Sequence, residues 1–119
     1  MVLPPRDHSL DTLLDLDGQV LFVDQRARFW VKFEARRVEP DAERPHGIRY
    51  SLTLHDAKGA RLVGFDNAHP GGGEKRGSAA DHRHRGAAIR AYRYVDAATL
   101  LTDFWREVER VLREQGEMK

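Results

Sequence analysis

The clearest signal along the chain is alternation. In Arg28–Val38, Phe29, Val31, Phe33 and Ala35 fall on one face, while Trp30, Lys32, Glu34 and Arg36 fall on the other. A repeat of two is the signature of a half-buried strand, because successive side chains point to opposite sides of a sheet. Gly47–Asp56 repeats the pattern, with Ile48, Tyr50, Leu52 and Leu54 against Arg49, Ser51, Thr53 and His55. Between them, Pro40–Pro45 combines proline and charge and reads as a loop. Gln19–Asp24 is a shorter apolar run that suits a strand. The turn Ala57-Lys58-Gly59 leads into a further strand, Arg61–Asp66, and Ala88–Val95 reads as a return strand.

After Val95 the period changes. Asp96 is a good helix N-cap. Leu100, Leu101, Phe104, Val108, Val111 and Leu112 then recur at helical spacing, Trp105 widens the stripe, and Gly116 ends it. Near the start, Ser9–Asp17 carries Leu10, Leu13, Leu14 and Leu16 and suits a short helix or an irregular strand. Consecutive strands with short connections favour an antiparallel meander. The expectation is an α+β fold: about four to six strands packed against a C-terminal helix, with a short helix at the N-terminus.

One stretch has no apolar period. Asn67–Gly86 holds Pro70 and half of the ten glycines in the chain. A structureless connection of that length tends to be functional or disordered. It is expected to be a glycine-rich functional loop inside one domain spanning residues 1–119, a length that suits a single core.

Composition sharpens this. The chain is 40% hydrophobic and 33% charged, as in a globular domain with a heavily charged surface. Cysteine is absent, which removes disulfide and thiolate chemistry. No apolar run is long enough to cross a bilayer, and Met1–Asp17 lacks the basic stretch and apolar block of a secretory signal. A cytoplasmic protein without membrane contact is expected. Net charge is only +1, yet Lys75, Arg76, Arg83, Arg85, Arg90 and Arg93 crowd the segment from Asp66 to Tyr94. Such a patch favours an anionic partner.

The same segment carries the candidate chemistry. Asp66, Asn67 and His69 precede the glycines, and Asp81-His82-Arg83-His84-Arg85-Gly86 follows them. On an extended backbone His82 and His84 point one way, and Arg83 and Arg85 the other. Three readings stay open. The first is RNA cleavage without a metal: His82 and His84 act as base and acid, His69 joins them, and Asp66 or Asp81 orients an imidazole. Arg83, Arg85 and Arg93 then steady the phosphate, and Tyr92 stacks on a base or donates to it. The second is a divalent metal held by His69, His82, His84 and a carboxylate, with no other cofactor implied. The third is a polar surface loop without chemistry, and a non-enzymatic rival is a binding module that acts on nucleic acid or a protein partner through the same basic face. The glycines do not spell a phosphate-binding loop, since GxxxxGK[ST] is missing. Trp30, Tyr94, Arg36, Arg37 and Arg49 have plain readings as packing or solvated residues.

Four pieces in order resemble the TumE-like toxins of bacterial toxin–antitoxin systems. They are Arg61–Asn67, the Asp81–Gly86 box, Tyr92-Arg93-Tyr94, and the helix containing Leu100–Val108. The resemblance spans about Gly47 to Val111. It implies a small type II toxin encoded beside a helix-turn-helix antitoxin that binds it directly. By analogy with small toxins of similar size it further implies an endoribonuclease, a hydrolase with RNA as partner; a homodimer is a further expectation. The family's residues carry over to Asp66, Asn67, Asp81, His82, His84, Gly86 and Tyr92. Two features depart from the family pattern: a longer connection at Pro70–Ala80, and Ala87 and Ala88 where acidic residues are usual.

Overall fold

The computed structural model describes residues 8–42, 44–67 and 81–116. Helix α1 (Ser9–Asp15) is followed by strands β1 (Val20–Phe22), β2 (Trp30–Arg37), β3 (Ile48–His55), β4 (Arg61–Asp66), β5 (His82–Arg85) and β6 (Ala88–Ala91). Helix α2 (Ala97–Glu114) closes the chain. The strands form one six-stranded sheet in the order β1-β2-β3-β4-β5-β6, and every neighbouring pair is antiparallel. This is the expected α+β meander, and the segment Ser9–Asp17 resolves as a helix.

Both alternating segments bury the predicted faces. Val31, Phe33 and Ala35 on β2 and Ile48, Tyr50, Leu52 and Leu54 on β3 are all at most 3% exposed. Helix α2 lays Leu100, Phe104, Val108, Val111 and Leu112 on them, and α1 adds Leu13. Phe104 meets Phe33 and Phe65 edge-on, at 5.7 and 6.1 Å between ring centres. Burying a side chain of this size stabilises by roughly 1.5–3 kcal/mol. Asp96 caps α2 by accepting from the Thr99 N–H, and Ser9 Oγ accepts from the Ala98 N–H, tying the two helix starts together. Gly116 (φ 77°) provides the left-handed exit that side chains resist.

Both helices lie on one face of the sheet, called the inner face below. Trp30, Lys32, Glu34, Arg36, Arg49, Ser51, Thr53 and His55 mark the other, outer face. There Trp30 stacks on His55 at 4.1 Å, the cross-strand partner that register assigns to it.

The structure moves two boundaries. His82–Arg85, expected within the glycine-rich loop, is a strand paired with β4 and β6. Four residues are too few to show a period by themselves, and ladder partners on both sides supply the order. The return strand is also shorter than predicted, ending at Ala91. Tyr92 and Tyr94 leave the strand to pack on the core. The glycine-rich residues 68–80, with His69, lie outside the described residues.

Candidate functional site

Register decides what the site contains. Asp66 pairs with His82, Gly64 with His84, and Ser51 with Asp66. All of these therefore share the outer face. The rings of His82 and His84 stand 6.3 Å apart. His84 Nε2 lies 2.9 Å from Asp66 Oδ2, and both side chains are largely shielded from water. On its other side, Arg61 Nη2 approaches His84 Nδ1 at 3.3 Å. A guanidinium can only donate, so Nδ1 accepts and the ring proton sits on Nε2, where it is donated to Asp66. Burial pushes the His84 pKa below the usual histidine value, helped by Arg61 and His82 and opposed by Asp66. Burial and Arg61 thus favour the neutral imidazole, and the two contacts hold it in one tautomer.

Gly64 makes room for this arrangement. A Cβ there would meet Arg61 Cδ at 3.3 Å and His84 Cδ2 at 3.5 Å. Arg61 reaches the space through a register irregularity between Leu54 and His55 that places it opposite His55. His55 in turn is fixed by Thr53 Oγ1 at 2.9 Å from its Nε2. Arg36 and Arg49, cross-strand partners on the same face, lie on the strands leading away from Asp66.

The remaining candidates are distributed elsewhere. Arg83 and Arg85 are on the inner face, where both approach Glu107 of α2, at 3.8 and 3.1 Å. Arg85 also bonds Glu114, which raises the Arg85 pKa and lowers that of Glu114. Asp81 accepts from the Tyr50 hydroxyl at 2.6 Å. With burial, that bond drives the Tyr50 pKa far above its ordinary value. Tyr92 packs edge-on against Phe65 and donates to Asp103 at 2.6 Å; burial and this bond raise its pKa too. Asn67, 3% exposed, accepts from the Tyr50 N–H and donates to the Ile48 carbonyl, so its amide extends the β3–β4 ladder. Arg93 is exposed between β6 and α2.

Of the sequence candidates, the structure therefore brings together Asp66, His82 and His84. It adds Arg61 and Gly64, which sequence reasoning did not single out. A glycine inside a strand often marks a close approach, and Gly64 was the available signal. Among the described residues, no group of three or more His, Asp or Glu side chains converges as metal ligands would. A carboxylate-held histidine with a lowered pKa beside a guanidinium is suited to proton transfer next to an anion.

The family model described as Toxin TumE matches residues 7–112, nearly the whole chain. The chain belongs to the TumE toxin family. Family membership implies a cognate antitoxin. No curated protein and no solved structure gives a significant match. Among the described residues, no helix is long and apolar enough to cross a membrane.

Proposed function

We propose that this TumE toxin arrests growth by cleaving RNA without a metal, on the outer face of the sheet. The observation that carries the reading is the Asp66–His84–Arg61 chain of contacts. An incoming phosphate draws Arg61 toward itself and frees His84 Nδ1. That nitrogen takes the proton from the ribose 2′-hydroxyl. The 2′-oxygen attacks the neighbouring phosphorus, and the bond from phosphorus to the 5′-oxygen breaks. Protonated His82 gives its proton to the leaving 5′-oxygen, yielding a 2′,3′-cyclic phosphate and a 5′-hydroxyl. Arg61 steadies the charge that builds on the phosphate, with Arg49 and Arg36 along the strand path. Asp66 keeps the tautomer and stabilises the imidazolium that forms.

Arg83 and Arg85 play no part in this scheme, because they stand behind the sheet on Glu107. The antitoxin in this reading is a helix-turn-helix protein that neutralises by direct binding, as in a type II system.

Induced expression tests the proposal. A folded His82→Ala/His84→Ala variant is expected to lose growth arrest, and purified wild type to leave cyclic-phosphate ends on RNA in excess chelator. Undiminished arrest by the double variant would sink the catalytic role. Cleavage that chelator stops and zinc restores would instead favour a metal site using His82, His84 and His69.

A further inference from the structure

A groove of about 250 Å³ opens on the inner face beyond the end of the apolar core, lined by Arg83, Arg85, Ala88, Arg90, Glu107 and Arg110. Its charge is unbalanced. Four arginines line it against Glu107, which lies within 3.8 Å of Arg83, 3.1 Å of Arg85 and 3.0 Å of Arg110, while Glu114 also bonds Arg85. Arg83 and Arg90 are direct cross-strand partners on this face. Like charges placed opposite each other in a ladder destabilise a sheet; Glu107 offsets part of this at Arg83, and a further anion beside Arg90 would offset the rest.

The groove runs along an open edge. β6 is last in the strand order among the described residues, and all four of its residues are exposed. The Tyr92 N–H bonds the Asp81 carbonyl. Alternation along an antiparallel ladder then turns the backbone groups of Ala88 and Arg90 toward β5, and those of Ile89 and Ala91 outward. The hairpin turn at Gly86 (φ 56°) holds the edge in place. Small side chains at Ala88 and Ala91 add no bulk beside it among the described residues. Ile89, on the face opposite the arginines, is 63% exposed.

We infer that this edge is a docking strip for an extended acidic segment of a protein partner, which adds beside β6 as a seventh strand. Its backbone pairs with the outward groups of Ile89 and Ala91. Its alternate side chains are carboxylates on the arginine face and apolar groups over Ile89. Charge complementarity and the free strand edge together favour a peptide over a nucleic-acid strand, which needs no ladder partner. For a toxin the occupant is a segment of the cognate antitoxin. The inference rests on direct neutralisation by a protein antitoxin and is independent of the cleavage chemistry.

The test is an amide-shift titration of the full chain with an acetylated octapeptide of alternating Glu and Val, with a Lys/Val octapeptide and a uridine dodecamer in parallel. Saturable shifts confined to residues 83–91 and 107–110, at least tenfold weaker in a folded Arg90→Glu variant and missing with Lys/Val, are expected. No saturable binding, binding centred on β1 or on His84, or displacement of the peptide by lower concentrations of the dodecamer would overturn the inference. Co-purification separates it from the reading beneath. A wild-type complex with the cognate antitoxin that survives Arg83→Glu/Arg90→Glu removes the docking strip and leaves direct neutralisation intact. Absence of any wild-type complex removes both.

Discussion

The two faces of β5 are made from four consecutive residues, yet they do different things. His82 and His84 face outward onto Asp66 and Arg61, in a partly shielded site where His84 is held from both sides and its pKa is pushed below the usual value by burial. Arg83 and Arg85 face inward onto Glu107 of α2, with Glu114 also bonding Arg85, and each keeps more than a third of its side-chain surface in water. A basic, histidine-rich box is easily taken as one site. A strand divides it into two, because neighbours in sequence are on opposite sides of the sheet. Proximity along the chain is then a poor guide to which groups can share a phosphate.

The largest expected contrast between the faces is in activity. Asp66→Asn keeps the shape of the pair but removes the charge that supports the imidazolium. RNA cleavage should fall on the order of 10²-fold or more, while Arg83→Ala leaves it unchanged in the same assay. Equal losses in the two variants would erase the distinction between the faces.

Stability should show the reverse. Glu107 is 7% exposed and collects three arginines. Glu107→Ala should cost about 1–3 kcal/mol in denaturant unfolding, toward the low end because the guanidinia stay hydrated. Asp66→Asn should cost less, since its hydrogen bond to His84 can persist. A neutral Glu107→Ala would mean that the inner arginines need no counter-charge.

The smallest effect is the most specific to the outer face. The folded His84 pKa lies below its unfolded value. In the window between the two, the unfolded chain binds more protons, so folded-state stability rises with pH there. This contribution is fully present above about pH 6.5 and fades as the pH falls toward the folded value. Subtracting the stability curve of His84→Gln from that of wild type should isolate it. A difference curve that rises toward acid pH would show that folding favours the charged imidazole, and a flat one would show that folding leaves its pKa unshifted.

Much of the fold was legible in sequence. Periods of two at Phe29–Ala35 and Ile48–Leu54 and of 3.6 at Leu100–Leu112 fixed strands, helix and core, because burial on one face imposes its spacing on the apolar residues. The candidate site was legible only in part. Asp66, His82 and His84 were found through residue type and an assumed extended backbone. Asn67, Asp81 and Tyr92 also carry groups suited to chemistry, but each is engaged in holding the fold, through the Tyr50 and Ile48 backbone, the Tyr50 hydroxyl and Asp103 respectively. Nothing in local spacing announces such partners, which lie 11 to 31 residues away.

The sequence by itself determined most of the elements, the faces they bury and the family; β5 was not among them. It also determined that the two histidines of the box would share a side once the backbone was extended. Tertiary structure decided the company they keep. Pairing with β4 brought Asp66 and Gly64 alongside. A shift in register brought Arg61 over the glycine, and the packing of α2 drew Arg83 and Arg85 away to Glu107. The physical reason is that side-chain direction is a local property of the backbone, whereas the neighbour met in that direction depends on register and docking between distant segments.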